Sequence, residues 1–305
     1  MKKRFWTIIA AAVLGALLLS GCGRETARQV ASPSQEYTAA AAEPTPTVDP
    51  HEGEIEVSDG AGGTRWVAEA PALTPFAPDR NAFSVENGVV SYAGEGLSLA
   101  RGIDVSEFQH DIDWAAVAAS GIEFAFIRCG WRGYSGGTLN EDTEFRRNLE
   151  EASAAGLKVG VYFFSQATSL VEGAEEAVYA LKLLDGYSLD LPVFFDWEFI
   201  GVEDARTDNV DAATVTDAAL EFCRLVESAG YAAGVYSYIP DIYAMYELDR
   251  LEGVTLWLGD PGTWPEFYYE HSFWQYSFTG SVPGIEGDTD LDVMYVRTEE
   301  TEGVG

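Results

Sequence analysis

Short apolar runs alternate with longer amphipathic stretches through the middle of the chain. The Gly or Pro residues that precede these runs lie 35, 36 and 38 residues apart. A strand that is apolar along its whole length suits a parallel sheet covered on both faces, because neither face then meets water. The spacing therefore predicts consecutive βα units, with strands over residues 123–127, 158–162, 193–195 and 232–236.

The amphipathic stretches carry residues that commonly begin and end helices. Asp142 and Asp211 occupy N-cap positions, where a short acidic side chain accepts backbone N–H groups. Gly156 and Gly230 follow as C-terminal stops, since glycine adopts the left-handed conformation at little cost. We predict helices over residues 113–119, 142–155, 170–184 and 211–229.

After position 240 the spacing shortens to about 18 residues, which leaves no room for a full helix between strands. Three more apolar runs cover residues 254–258, 272–276 and 290–295, and a further strand is expected at residues 102–104. Eight strands with helices after only the first five predict an α/β fold, an irregular TIM-like (β/α)5(β)3 barrel. A flat, doubly wound sheet is the alternative.

The segments around this barrel differ in composition. Residues 22–78 are rich in Ala, Pro, Thr, Glu and Gly and keep no period of 2 or 3.6, so we expect a disordered tether there. Residues 79–98 contain alternating apolar positions around Asn87-Gly88, which predicts a β-hairpin leading into the barrel. The barrel domain is expected over residues 99–298, with a short tail at 299–305.

The N-terminus has the anatomy of a secretion signal. Three basic residues precede an apolar run of about 15 residues, which is shorter than the roughly 20 needed to span a membrane as a helix. The run ends in Leu-Ser-Gly-Cys, which resembles the lipobox of bacterial lipoproteins. We expect residues 1–21 to be removed and Cys22 to carry lipid; a retained anchor helix is the alternative.

The chain is strongly acidic, with a net charge of −32. Loss of residues 1–21 would leave 15 basic against 50 acidic residues. This balance argues against nucleic acid or another polyanion as partner, so a neutral ligand must be held by shape, stacking and hydrogen bonds. We expect no metal or other cofactor, because the three His residues are scattered and no Gly-rich phosphate loop is present. Cys129 and Cys223 are expected to be buried, unpaired thiols.

The chemistry-bearing residues follow the predicted strands, at the end of a βα barrel where reactive groups lie. Asp196 and Glu198 come directly after the apolar run 193–195, and their spacing places both on one side of a continued strand. Taken alone, an Asp-x-Glu could form a solvated turn or a metal site. Asp104 could likewise cap a helix, and Asp290 could belong to a polar turn. A ring of carboxylates and aromatic rings at one barrel end, however, is what cleavage of a glycosidic bond requires.

The order of several segments resembles the glycoside hydrolase family 25 muramidases, the Chalaropsis-type lysozymes. The similarity covers residues 99–297 and rests on Gly-Ile-Asp-Val-Ser at 102–106, Pro-Val-Phe-Phe-Asp-Trp-Glu at 192–198, Trp-Gln-Tyr-Ser at 274–277 and Asp-Leu-Asp at 290–292. The resemblance implies a (β/α)5(β)3 barrel. It also implies cleavage of the β-1,4 bond between N-acetylmuramic acid and N-acetylglucosamine in peptidoglycan.

The resemblance also implies roles for single residues. Glu198 corresponds to the general acid, Asp196 to the group that stabilises positive charge or orients the acetamido group, and Asp104 and Asp290 to the rest of the acidic site. The residues implied to contact sugars are Tyr162, Tyr236, Trp274 and Gln275. The chain departs from the family pattern at three places, which are residues 162–164, 257–260 and 290–292.

These expectations describe an exported, monomeric enzyme. It would be anchored by lipid to the outer face of the bacterial cytoplasmic membrane, facing the glycan strands of the cell wall. A catalytically silent glycan-binding lipoprotein on the same scaffold is the main alternative, and a chitinase-like hydrolase is another.

Overall fold

The computed structural model describes residues 49–59 and 62–298. The first four strands form two separate antiparallel hairpins, β1 with β2 and β3 with β4. The remaining strands belong to one sheet. The strands are β1 (Glu54–Ser58), β2 (Thr64–Ala68), β3 (Phe83–Glu86), β4 (Val89–Tyr92), β5 (Leu97–Val105), β6 (Phe124–Arg132), β7 (Leu139–Glu141), β8 (Lys158–Ser165), β9 (Val193–Trp197), β10 (Ala233–Tyr238), β11 (Thr255–Gly259), β12 (Phe273–Gly280) and β13 (Thr289–Arg297).

Eight of these strands close into a barrel. Parallel pairing runs from β5 through β6, β8, β9, β10 and β11 to β12. The last strand, β13, is antiparallel to both β12 and β5 and closes the ring. The short β7 adds to the outside of β6. The predicted barrel is confirmed, and the flat sheet is wrong because β5 pairs on both of its edges.

A helix follows each of the first five barrel strands, and within the described residues none follows the last three, as the shortened spacing predicted. The N-cap prediction at Asp211 is confirmed, since its carboxylate accepts Thr214 N at 2.9 Å. The N-cap prediction at Asp142 is wrong, because that helix begins three residues later and its N-cap position is Glu144. Asp142 Oδ1 accepts Glu144 N at 2.9 Å in the turn before the helix, and Asp142 Oδ2 accepts from Arg128 Nε at 2.8 Å. The helices are α1 (Trp114–Ala119), α2 (Phe145–Ala154), α3 (Leu170–Leu183), α4 (Ala212–Ser228) and α5 (Ile239–Met245).

Large aromatic rings fill the interior of the barrel. They are accommodated by glycines at inward positions of neighbouring strands: a Cβ at Gly102 would lie 2.1 Å from the Phe124 ring, and one at Gly234 would lie 2.5 Å from the Phe194 ring. Such alternation of small and large residues fills a small barrel with side chains and leaves a dry floor beneath its open end. The buried interior cluster consists of Ala100, Phe124, Phe126, Tyr162, Leu191, Phe194, Tyr236, Trp257 and Phe273.

The expected tether over residues 22–78 is wrong for the part that the structure describes. The hairpin β1–β2 buries apolar side chains, among them Val57, and the segment after it is bonded to the barrel. Ala70 N donates to the Tyr269 hydroxyl at 2.6 Å, and Phe76 N donates to Tyr268 O at 2.8 Å. These bonds satisfy backbone groups that a disordered segment would leave to water. Residues 22–48 lie outside the described residues.

The second hairpin confirms the prediction made from Asn87-Gly88. Both turn residues have positive φ, 52° and 79°, which is the conformation that a two-residue turn between twisted antiparallel strands requires. Phe83 of this hairpin packs edge-on against Trp274 of the barrel, with ring centroids 6.0 Å apart.

Other expectations concern thiols and the chain ends. Cys129 and Cys223 are buried free thiols, as expected. Across residues 49–59 and 62–298, no helix has both the length and the apolar character needed to cross a membrane. The predicted signal peptide at 1–21, the lipid site at Cys22 and the tail at 299–305 lie outside the described residues.

Candidate active site

A cavity of about 350 Å³ opens at the C-terminal ends of the parallel strands. All four carboxylates named from the sequence line it, although they come from three different strand ends. Three of the four predicted sugar-contacting residues line it as well. The predicted residues that the structure brings together are Asp104, Asp196, Glu198, Asp290, Tyr162, Tyr236 and Gln275.

The alternation of β9 sets the direction of Asp196 and Glu198. Phe194 belongs to the barrel interior and Phe195 to the outer core, so Asp196 faces the interior in turn. Glu198 follows the last strand residue and lines the same cavity, as the spacing predicted. The main chain at Glu198 is held from the neighbouring strand end, because the buried Gln166 Nε2 donates to Glu198 O at 2.7 Å.

The surroundings of Glu198 favour its protonated form. Burial raises the pKa of its carboxyl to about 7, and the negative charges of Asp241 and Asp290 act in the same direction. The nearby Tyr236 hydroxyl opposes this shift, because it favours the ionised form of Glu198. Glu198 therefore retains a proton over much of the pH range in which an ordinary Glu has lost it.

Asp196 is almost completely buried beside Glu198. Burial raises its pKa well above the ordinary value, the charge of Glu198 adds to that rise, and the Arg128 guanidinium opposes it. Its Oδ1 has no hydrogen-bond partner within the described structure. This oxygen is therefore able to accept a hydrogen bond from a ligand N–H group placed next to Glu198.

Asp104 and Asp290 lie side by side because β5 and β13 are paired at these two residues. Asp104 Oδ2 accepts from Gln275 Nε2 at 2.6 Å, and Gln275 Oε1 accepts from the Tyr236 hydroxyl at 2.6 Å. Burial raises the pKa of Asp290 to about 6, with a further contribution from Asp288. The pKa of Asp104 is raised well above its usual value, first by burial and then by Asp290.

The prediction that Trp274 contacts sugar is wrong. Its side chain is 0% exposed and belongs to the outer core, and its indole Nε1 donates to Asp260 O at 2.8 Å. Successive residues of a strand face opposite sides, so once Gln275 points into the barrel, Trp274 must point out. Asp260, which also follows a strand, binds Glu266 N and does not line the cavity.

The sequence-based search for the site missed two residues that line the cavity. Trp257 lines the cavity and donates through Nε1 to Asp292 Oδ1 at 2.8 Å. Arg128 also lines it, and its guanidinium binds Asp142 and Glu107. Each had a feature that could have identified it. Arg128 is a charged residue within a mostly apolar strand, and Trp257 is in register with Tyr236 on the neighbouring strand.

Two aromatic rings flank the mouth of the cavity. Phe108 lies in the loop after β5 and is 69% exposed, while Phe278 near the end of β12 is 41% exposed. Both rings line the cavity, so their exposed faces are accessible to a ligand that enters it. Their flat apolar faces suit the apolar faces of pyranose rings.

Within residues 49–59 and 62–298, no three His, Cys, Asp or Glu side chains are arranged to hold a metal ion, and this includes the carboxylates of the cavity. What the cavity does present is a Glu whose pKa is raised to about 7, beside three further carboxyl groups. Such an arrangement can protonate an oxygen and stabilise positive charge on carbon.

Comparison with known proteins agrees with this geometry. The family model described as glycosyl hydrolases family 25 matches residues 103–285, more than half of the chain. The chain belongs to glycosyl hydrolases family 25. The matched residues begin in β5 and include Asp104 and the Asp196–Glu198 segment, so the resemblance seen in the sequence motifs is confirmed.

Two lysozymes are among the relatives of this family 25 chain. The autolytic lysozyme of Clostridium acetobutylicum is 28% identical over 193 residues, which are 63% of this chain and 55% of that protein. Lysozyme M1 of Streptomyces globisporus is 27% identical over 223 residues, covering 63% of this chain and 67% of that protein. This chain thus spans little more than half the length of the first relative.

Solved structures share the fold. A family 25 glycosyl hydrolase from Bacillus anthracis aligns with a TM-score of 0.57 at 23% identity, covering 71% of this chain and 97% of that one. The modular autolysin LytC from Streptococcus pneumoniae aligns with a TM-score of 0.58 at 21% identity, covering 80% of this chain and 57% of that one. At these identities the likeness concerns the barrel itself.

Replacing Tyr236 by Phe is expected to raise the pKa of Glu198 above about 7, because the lost hydroxyl favours the ionised carboxylate. NMR titration of the labelled Glu carboxyl carbons measures this shift. Tyr162→Phe is the matched control, since that ring lines the same cavity and no hydrogen bond from its hydroxyl to Glu198 occurs in the described structure. A Glu198 pKa that stays constant or falls in Tyr236→Phe contradicts the assignment.

Proposed function

We propose that this family 25 domain is an N-acetylmuramidase, which hydrolyses the β-1,4 bond between N-acetylmuramic acid and N-acetylglucosamine in peptidoglycan. The observation that carries the proposal is the Glu198 carboxyl, with its pKa raised to about 7, next to Asp196 in a cavity flanked by aromatic rings. Two relatives that are named lysozymes support it. LytC, which shares the fold, has been solved with a synthetic peptidoglycan ligand.

Glu198 acts as the general acid in this proposal. Its proton passes to the glycosidic oxygen as the bond to the anomeric carbon breaks, and the departing sugar leaves as an alcohol. An acid works best when its pKa is close to the working pH, because it then holds a proton and still releases it readily. Burial brings Glu198 to this range.

Asp196 stabilises the positive charge that develops at the anomeric carbon as the bond breaks. Asp196 and Glu198 share one strand end, which is a poor arrangement for two carboxylates on opposite faces of the sugar. We infer that the 2-acetamido oxygen of the substrate attacks the anomeric carbon. Asp196 Oδ1, which has no partner in the described structure, accepts the acetamido N–H and polarises the amide. Asp104 and Asp290 complete the negative surroundings of the oxocarbenium-like centre.

The walls of the cavity hold neutral sugar rings through stacking and hydrogen bonds. Tyr162, Tyr236 and Gln275 line the floor, and Phe108 and Phe278 flank the mouth. All of these side chains belong to one barrel, so we infer that a single chain is sufficient for activity. Size-exclusion chromatography with light scattering tests whether the active species is a monomer.

Digestion of purified peptidoglycan by the whole protein is expected to create new reducing ends of muramic acid, identified after borohydride reduction. Glu198→Gln is expected to lower turnover by a factor of roughly 10²–10⁴ while binding of the glycan persists, since the amide keeps the shape but has no acidic proton to give. Glu203→Gln, at an exposed position of the loop after β9, serves as the control and retains activity.

The identity of the reducing ends separates the alternatives. Reduced glucosamine would identify a glucosaminidase, and binding without any release would identify a silent glycan-binding module. Cleavage of chitin in preference to peptidoglycan would point to a chitinase-like enzyme. Near-native turnover in Glu198→Gln would move the role of acid to Asp104 or Asp290.

The stereochemistry of the first-formed product tests the route. Attack by the acetamido oxygen followed by water inverts the anomeric carbon twice, so the product is expected to be the β-anomer. Proton NMR taken before mutarotation identifies it. An initial α-anomer would mean direct attack by water from the far face, with Asp104 or Asp290 as the base.

We further propose that the enzyme is exported and held at the outer face of the bacterial cytoplasmic membrane by lipid on Cys22. The basic start, the apolar run and the Leu-Ser-Gly-Cys sequence support this location. Each buried methylene of an acyl chain contributes about 0.8 kcal/mol, so two or three chains suffice for stable attachment. The related lysozymes act on a polymer that lies on that side of the membrane.

Cys22→Ala is expected to abolish lipidation, so that the protein is either left unprocessed or released to the medium. Detergent phase partitioning and the mobility of the mature form measure the change, with Cys129→Ala as a control that keeps the anchor. Partitioning of Cys22→Ala into the detergent phase at its mature size would contradict lipidation at this residue.

A further inference from the structure

Asp292 lies beneath the floor of the active-site cavity. It is the next inward residue after Asp290 on β13, is 0% exposed, and does not itself line the cavity. Its partner across the pair with β5 is Gly102, which has no side chain, and its partner on β12 is Gln275. The Asp292 carboxyl is therefore surrounded by the barrel interior and cannot touch a bound sugar.

The two carboxyl oxygens of Asp292 differ in their partners. Oδ1 accepts from Trp257 Nε1 at 2.8 Å. Oδ2 is buried and receives no donor within the described structure. The neighbouring group within hydrogen-bond reach is the carboxyl of Asp104. Two buried carboxyl groups in contact are stable only when a proton lies between them, because neither ionised group can donate.

Each carboxyl group of the pair is held on one oxygen by a donor from the barrel. Asp104 Oδ2 accepts from Gln275 Nε2, and Asp292 Oδ1 accepts from Trp257 Nε1. Asp292 Oδ2 has no other donor in the described structure. One proton held between the two carboxyl groups satisfies this oxygen and removes the repulsion between two buried charges.

We propose that Asp292 is a positioning residue that shares one proton with the Asp104 carboxyl through Oδ2, so that the pair carries a single negative charge. Trp257 and Gln275 hold the two ends of the pair, and the shared proton fixes the Asp104 carboxylate from below. The position of Asp104 at the cavity wall then depends on a group that never meets the substrate.

Burial and the neighbouring acidic groups disfavour a second negative charge on the pair. Burial raises the pKa of Asp292 well above its usual value and the charge of Asp290 raises it further, whereas the hydrogen bonds from Trp257 and Asp104 lower it. Asp290 on β13 and Asp196 on β9 also act on Asp104. On β12, the Tyr276 phenol interacts with Asp292, and Gln275 is an uncharged donor.

The dependence of thermal stability on pH tests the proposal without reference to enzymatic activity. In the unfolded chain Asp292 ionises near its ordinary pKa, so folding takes up a proton at any pH between that value and the raised folded value. The wild-type protein therefore loses stability over this range as the pH rises. Asp292→Asn binds no proton, yet its amide can still accept from Trp257 and donate to Asp104.

The melting temperature of Asp292→Asn relative to wild type is expected to rise steadily between about pH 5 and about pH 8. Asp185→Asn, at an exposed position after α3, should follow the wild-type curve and is the control. A difference between Asp292→Asn and wild type that is the same at every pH would overturn the proposal, because a role in packing alone does not change with pH.

Activity provides a second readout, which rests on the proposed function. Asp292→Asn is expected to keep kcat within about threefold of wild type, whereas Asp292→Leu, which keeps the volume and cannot hydrogen-bond to Asp104, should lose about tenfold or more, the rate equivalent of about 1.4 kcal/mol. An equal loss of kcat in both variants of folded protein would count against a positioning role for the Asp292 hydrogen bond. If the wild-type protein releases no sugar, the muramidase proposal fails and the melting curves still decide the state of Asp292.

Discussion

Pairing of β13 with both β12 and β5 is the interaction on which the site depends. It closes the barrel, and it does so with a strand that runs opposite to the other seven. Its first residues therefore arrive at the cavity, where Asp290 meets Asp104 across the strand pair. Without this closing strand the carboxylates of β9 would face an open sheet edge, and water would remove the burial that raises the pKa of Glu198.

Burial links the packing of the barrel to its chemistry. The aromatic rings of the interior and the inward glycines that accommodate them leave a dry floor, on which several carboxyl groups lie close together. Close acidic groups in such a setting cannot all ionise, and their pKa values separate. Protonated and ionised carboxyl groups then coexist near neutral pH, as acid catalysis requires. Burying these groups lowers the stability of the folded state.

The sequence predicts those features that depend on local periodicity. Apolar runs and helix caps such as Asp211 are local, so the eight strands and five helices could be derived from spacing. The side of β9 on which Asp196 and Glu198 lie follows from the alternation of side chains along a strand. The prediction that Trp274 contacts sugar is wrong because successive residues of a strand face opposite sides. Gln275 points into the barrel, so Trp274 points out of it.

Features that depend on distant partners could not be derived in this way. The segment after β2 is ordered by residues about 200 positions away, as in the bond from Ala70 to Tyr269. Asp142 has the local character of an N-cap, but it lies three residues before the helix and also binds the Arg128 guanidinium on a barrel strand. The contact between Asp104 and Asp292 likewise depends on the register of the first and last barrel strands, which no local pattern specifies.

The reversed direction of β13 also determines where the chain leaves the barrel. The pair between Leu97 and Arg297 joins the start of the first barrel strand to the end of the last, at the rim opposite the cavity. A parallel eighth strand would have brought the chain out beside Glu198. Because β5 begins and β13 ends at the far rim, neither strand carries the chain across the opening that Glu198 lines, and a long polymer has room to lie along it.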